Sequence, residues 1–290
     1  MASGGSNTVK NGCCDESASH DFRSERLRKL GLKINNWDYV VALAGNPNTG
    51  KSTVFNNLTG LRQHTGNWPG KTVNRAEGGF EYQARQYKLV DLPGTYSLLS
   101  ASEDEEIARN FVLFGQPDVT IVVVDATRLE RNLNLALQIM EITGRIVVCL
   151  NLMDEAERNG IQIDIDKLQN ELGVPVVPTV ARYGEGMDKL LAAVADVASG
   201  ERPEREHEIK TNSDMLNLAM DELQEDLSKL YPGLPNTRWL ALRLLDGDER
   251  IEEAVKTGEL ENLVRRYKQA PIDLDEELEK INNELNDHHV

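Results

Sequence analysis

The sequence is short of positive charge, of cysteine and of long apolar runs, and each shortage removes a class of function. Lys and Arg number 32 against 48 Asp and Glu, a formal net charge of −16 over 290 residues. A nucleic-acid binder needs a basic face to meet phosphates, so no nucleic-acid partner is expected. The three cysteines have no regular spacing, which makes no disulfide framework and suits a reducing compartment. Cys149 lies in the apolar run "IVVCLNL" and reads as core. Cys13, Cys14 and His20 are a conceivable metal cluster, but "MASGGSNTVKNG" is small and turn-forming, and residues 1–37 read as a flexible leader. The runs "VTIVVVDA" and "RIVVCLNLM" are broken by Asp or Asn well before the roughly 18 apolar residues of a membrane-spanning helix. With no such run and no signal peptide, the chain as given is expected to be soluble. The terminal "NDHHV" has no stop-like feature, and the chain is expected to continue in its natural form.

What is present is a two-part pattern. From 38 to 200, short β-branched runs alternate with helical periodicity. "YVVALA", "RAEGGFEY", "QYKLVDL", "DVTIVVVDA", "RIVVCLNL" and "VPVVPT" give six strands, interleaved with helices at Lys51–Thr59, Glu103–Phe114, Arg128–Thr143, Asp164–Leu172 and Met187–Ala198. Leu133, Leu137 and Met140 are expected on the buried face of the third of these. Such alternation implies an α/β fold with a mostly parallel sheet covered on both faces. "SGERPEREHE" reads as a linker. Residues 201–290 then form a small all-α domain, with Leu216, Met220, Leu223, Leu227 and Leu230 along one stripe. This last third holds 23 Asp and Glu against 12 Lys and Arg, a net of −11. Glu222, Glu225 and Asp226 read as a solvated face, and as a weaker alternative they attract a hard divalent ion.

The chemistry concentrates in a few loops. Gly45-Asn46-Pro47-Asn48-Thr49-Gly50-Lys51-Ser52 follows a strand and opens a helix, the setting of a phosphate-binding loop. Its N–H groups and the helix N-terminus, through Thr53, face phosphate. Lys51 reaches the β- and γ-phosphates, and the Ser52 hydroxyl binds Mg²⁺. Asp91 in "DLPG" stands where a carboxylate holds Mg²⁺ through a water, while the Gly94 N–H senses the γ-phosphate. In "HTGNWPGKTV", Thr72 is the preferred ligand for Mg²⁺ and the γ-phosphate, with Gly70 and Lys71 beside it; Thr65 is the competitor. "NLMD" brings Asn151 and Asp154 to a strand end, where the carboxylate can accept the N1–H and N2–H₂ edge of guanine and so reject adenine. Leu152 replaces the lysine usual in GTPases. In "PTVARYGEG", Val180 and Ala181 form the base-contact loop, with the Ala181 N–H on the guanine oxygen.

With order, spacing and strand context in agreement, the chain resembles the Ras-like P-loop GTPases. More narrowly, "GNPNTGKSTVFNNLTG", "GNWPGKTV", "DLPGTYSL", "VVDATRLERNLNLALQ" and "NLMDEA" resemble the cytoplasmic N-terminal region of the FeoB-type ferrous iron transporters, over about Asp38 to Gln269. It departs from them at Lys71, Asn74 and Val180, the last where a serine is usual. The glutamine that orients water in many GTPases is replaced by Thr95. The resemblance implies GTP and GDP as ligands, Mg²⁺, and a K⁺ held by the Asn48 amide oxygen and carbonyls near Asn67 and Trp68, doing the work of an arginine finger. It also implies that the helical domain slows GDP release and links to a membrane transporter domain, at the cytoplasmic face of the inner membrane. Asn48 as a mere turn-former remains an alternative. So do a free-standing GTPase of ribosome or tRNA maturation and a non-hydrolysing nucleotide scaffold. Homo-oligomerisation is left open.

Overall fold

The computed structural model describes residues 27, 30, 32, 37–60, 63–98, 102–201, 213–232, 234–258 and 260–261; Cys13, Cys14 and His20 lie outside them. Seven strands form one sheet: β1 (Tyr39–Gly45), β2 (Gln63–Asn67), β3 (Asn74–Tyr82), β4 (Arg85–Asp91), β5 (Val119–Asp125), β6 (Ile146–Asn151) and β7 (Val176–Pro178). Their order is β2-β3-β4-β1-β5-β6-β7. The five strands from β4 to β7 in that order run parallel, and the β2–β3 and β3–β4 pairs are antiparallel. Every residue of β5 and β6 is buried, as expected of strands covered on both faces.

The sequence gives six strands, and the seventh is β2. "QHTGN" has no apolar alternation, because this edge strand pairs through its backbone alone, from Gln63 opposite Gly78 to Asn67 opposite Asn74. The competitor Thr65 is thereby an exposed ladder residue, opposite Ala76.

Helices cover the sheet: α1 (Lys51–Thr59), α2 (Glu103–Asn110), α3 (Leu129–Ile142), α4 (Met153–Arg158), α5 (Ile165–Leu172) and α6 (Met187–Ala198). The acidic first turn of α2 is capped by Ser102, and its end widens into a π turn at Phe111–Gly115. The buried face of α3 differs from the expected one. Leu135, Ala136, Ile139 and Met140 face the sheet, whereas Leu137 is exposed and Leu133 half-buried. Of the expected series Met140 is thus buried and Leu133 packs against the same cluster, whereas Leu137 stands two residues, roughly 200°, around the helix from Leu135 and faces away.

Beyond the sheet come α7 (Asp214–Leu230), α8 (Thr237–Leu245) and α9 (Glu249–Lys256). The α7 stripe is buried only in its middle. Met220 and Leu227 are covered while Leu216 and Leu230 are exposed. Met220, Leu227, Leu234 and Trp239 belong to the same apolar cluster as Leu135 and Ile139 of α3. Asn236 fastens this contact, donating from Nδ2 to the Glu141 and Ile142 carbonyls at 2.9 and 2.8 Å. Beside it, Arg243 pairs with Glu141 at 3.2 Å, their side chains only 11% and 13% exposed. Glu222, Glu225 and Asp226 are exposed, and Lys229 sits on Glu225 at 2.7 Å. Among the described residues no group of His, Cys, Asp and Glu is arranged to hold a metal, and no helix is long and apolar enough to cross a membrane.

Candidate nucleotide-binding site

The loop after β1 is built as a phosphate cradle. Asn48 and Gly50 both take positive φ, 66° and 85°, which curls the backbone between Gly45 and Lys51. Thr49 is buried and closes the curl by donating to the Asn46 carbonyl at 2.9 Å. Gly50 is the N-cap of α1 and offers no side-chain acceptor to the first turn. The N–H groups of Thr53 and Val54 return to the Gly50 carbonyl, and the Ser52 side chain is exposed at the helix start. An anion therefore meets the positive end of α1 and not a capping side chain. Asn48 is exposed on the crown, with Pro47 half-buried beside it. Asn46 is buried, and both its amide atoms lack a partner among the described residues.

Two loops close on the cradle. Lys51 donates to the Leu92 carbonyl at 2.7 Å and forms an ion pair with Asp91. Burial pushes the Asp91 carboxyl above its ordinary range, and the Lys51 charge opposes that without overcoming it. Gly94 lies against Pro47, which a Cβ there would touch at 3.6 Å. Thr95 is buried and donates its hydroxyl to the Ser97 carbonyl at 2.7 Å. Its side chain is thereby turned inward.

Thr72 and Gly70 are exposed on a short turn, closed where the Trp68 N–H meets the Val73 carbonyl and the Lys71 N–H meets the Trp68 carbonyl, both at 3.0 Å. Lys71 reaches Glu106 at 3.1 Å and Glu103 at 3.7 Å on α2, tethering this turn to the segment that follows "DLPG".

The base-side loops are stapled by Asn151. It is buried, donates from Nδ2 to the Thr49 carbonyl at 3.0 Å, and accepts at Oδ1 from the Ala181 N–H at 3.0 Å and from Thr179 Oγ1 at 3.3 Å. One side chain thus joins the phosphate cradle to the 180 loop. It also explains Gly50, since a Cβ there would fall 2.3 Å from Asn151 Nδ2. The sequence reading placed the Ala181 N–H on a guanine oxygen, but here that N–H is held by Asn151 and the Ala181 carbonyl by Asn57 Nδ2 at 2.8 Å. The Val180 N–H is likewise engaged, by the Glu185 carbonyl at 3.1 Å. The next amide along the loop is that of Arg182. The staple carries no signal in the sequence, where Asn151 reads only as part of "NLMD" at a strand end.

Asp154 opens the first turn of α4, behind Leu152 at φ 63°. Its Oδ2 accepts from Arg158 Nη2 and Arg182 Nη2, each at 3.2 Å, and its side chain is 25% exposed. Arg182 also lies over the Tyr183 ring, 4.6 Å from its centroid.

A family model described as ferrous iron transport protein B matches residues 39–194, and one for the FeoB cytosolic helical domain matches residues 213–289. The Fe(2+) transporter FeoB of Escherichia coli K12 is 42% identical over 255 residues, which is 86% of this chain and 30% of that protein. The Fe(2+) transporter FeoB of Salmonella typhimurium is 40% identical over 257 residues, with the same coverage. This chain thus spans about a third of the length of these curated relatives. Among solved structures, the cytosolic domain of Thermotoga maritima FeoB in a GDP form has TM-score 0.69 and 36% identity, covering 79% of this chain and 94% of that one. The cytosolic domain of Legionella pneumophila FeoB has TM-score 0.68 and 34% identity, covering 81% and 91%.

Proposed function

The chain belongs to the ferrous iron transport protein B (FeoB) family, and we propose on that footing that it binds GTP and hydrolyses it, regulating Fe²⁺ passage through a membrane domain of the full-length protein. The observation that carries this reading is the staple between cradle and base loop, which sets a phosphate site and an acceptor for guanine on one rigid frame. Relatives solved in GDP and GMPPNP forms support it. Residues 38–200 are the GTPase domain and 201–290 the helical domain, which slows GDP release. The protein is placed at the cytoplasmic face of the inner membrane.

The cradle amides and the start of α1 grip the β-phosphate, and Lys51 exchanges the Asp91 carboxylate for phosphate oxygens. That exchange frees the Asp91 carboxylate, which with the Ser52 hydroxyl and Thr72 makes a set of hard oxygen donors that would fit Mg²⁺. When bound, the Mg²⁺ neutralises charge growing on the phosphates. Asn48 presents an exposed amide oxygen on the crown and fits K⁺, which supplies positive charge where no arginine finger is present. Because Thr95 is turned inward, placing the attacking water falls to backbone groups near Thr72 and to the Gly94 N–H. Asp154 selects guanine, with the Arg182 N–H as donor to the base oxygen in place of that of Ala181.

Phosphate release from GTP and from ATP, each in KCl and in NaCl, tests this directly. GTP turnover is expected to be faster in KCl, and Asn48→Ala to remove the difference. Equal rates in both salts would refute the role of Asn48, and no GTP turnover in either would leave a nucleotide scaffold.

A further inference from the structure

Arg75 is the second residue of β3, three beyond Thr72, and is hidden, its side chain 13% exposed. A guanidinium has a planar fork and a flat face, and here both are used. Nε pairs with Glu77 Oε1 at 2.7 Å, and Glu77 Oε2 pairs with the buried Lys88 at 2.5 Å. Nη1 donates to the Leu30 carbonyl at 2.9 Å, across 45 residues of sequence. The guanidinium carbon stands 5.4 Å from the centre of the Trp68 ring.

Trp68 is the anchor of the Thr72 turn, and it is 3% exposed. Its indole N–H has no hydrogen-bond partner among the described residues, so the ring is held by packing and by the Arg75 cation. Phe111, at the π turn after α2, meets it edge-on at 5.6 Å. Leu27, Leu30 and Leu32 complete this cluster at 1%, 8% and 1% exposure. They stand in the stretch that reads as a leader and precede the matched family region, which begins at residue 39. The turn they cover is shaped to receive them: a Cβ on Gly115 would fall 2.9 Å from Leu30 Cδ1 and 3.5 Å from Leu27 Cδ2.

We propose that Arg75 is a positioning residue for the Thr72 turn, and that Leu27, Leu30 and Leu32 form an intramolecular latch that holds Arg75 against Trp68. The proposal rests on the GTPase reading above. With Trp68 fixed, the turn from Trp68 to Val73 swings as one unit, and Thr72 reaches a γ-phosphate without first ordering its base. With the latch unseated, that ordering cost falls on every binding event that uses Thr72. GDP has no γ-phosphate, so its affinity does not depend on the latch.

The test is binding of GDP and of a non-hydrolysable GTP analogue to the full chain, in wild type, in Leu27→Ser/Leu30→Ser and in Arg75→Lys. The lysine keeps a charge for Glu77 but cannot serve Glu77 and the Leu30 carbonyl in one fork. Both variants are expected to bind the analogue about five- to tenfold more weakly, with GDP within twofold of wild type. Equal weakening of both nucleotides, or no change in either, overturns the proposal. Should the double serine variant not fold, Arg75→Lys decides alone. A wild-type chain that binds no guanine nucleotide would strike the underlying reading, an outcome distinct from loss of the split.

Discussion

On the proposed reading single side chains carry the guanine selectivity, and each leaves a measurable mark. Asp154→Ala removes the proposed acceptor for the guanine edge, which lowers GDP affinity by about 1.5–3 kcal/mol and leaves ADP affinity unchanged. Competition binding with the two diphosphates measures the difference. Cys149 gives a mark unrelated to function. Burial pushes its thiol up to about 12, a Thr179 hydrogen bond opposing only in part, from an ordinary value of 9.0. Below pH 9.0 the thiol is protonated both folded and unfolded, and its contribution to stability is fully present. As pH rises from 9.0 towards 12 the unfolded chain gives up this proton and the folded one keeps it, so stability falls by about 1.4 kcal/mol per unit. At pH 8 Cys149 is expected to resist alkylation in the native protein and to react fully in denaturant, as peptide mass spectrometry reads it.

At the scale of elements, the parts that bury apolar surface were legible and the parts that use backbone alone were not. "YVVALA", "VTIVVVDA" and "IVVCLNL" announce buried strands because each opens with five or more consecutive apolar or β-branched residues. "QHTGN" conceals β2 because a polar edge strand leaves no periodic trace. The phosphate loop and Asp154 stood out by residue type and spacing. The tie between them did not, since nothing in "NLMD" says that Asn151 faces Thr49 and Ala181 instead of a ligand. The burial of Leu27, Leu30 and Leu32 was equally hidden, because three leucines among small and charged residues show a partner only once the π turn is in place. Asn151→Ala strands the Thr49 carbonyl and the Ala181 N–H, and it is expected to cost about 1–3 kcal/mol of stability in urea denaturation. It also separates cradle from base loop, so GDP affinity falls with it.

Across the whole molecule, the described helices beyond residue 213 are fastened to α3. Asn236 and Arg243 both converge on the C-terminal end of α3 at Glu141. Glu141→Ala leaves the buried Arg243 with, among the described residues, the exposed Asp246 at 3.3 Å as its ion-pair partner, and a loss of about 1–3 kcal/mol is expected in thermal unfolding. Guanine preference should survive that change, since Asp154 and its loop are untouched. Binding at the cradle and packing of the helices are thus separable by single substitutions.

Isothermal calorimetry with GDP and ADP on the wild-type chain in Mg²⁺ and KCl bears most directly on the joined phosphate and base sites. GDP is expected to bind at least about a hundredfold more tightly, since guanine offers two N–H donors to the Asp154 carboxylate where adenine presents an acceptor. Equal affinity for the two, or heat from neither, would contradict it.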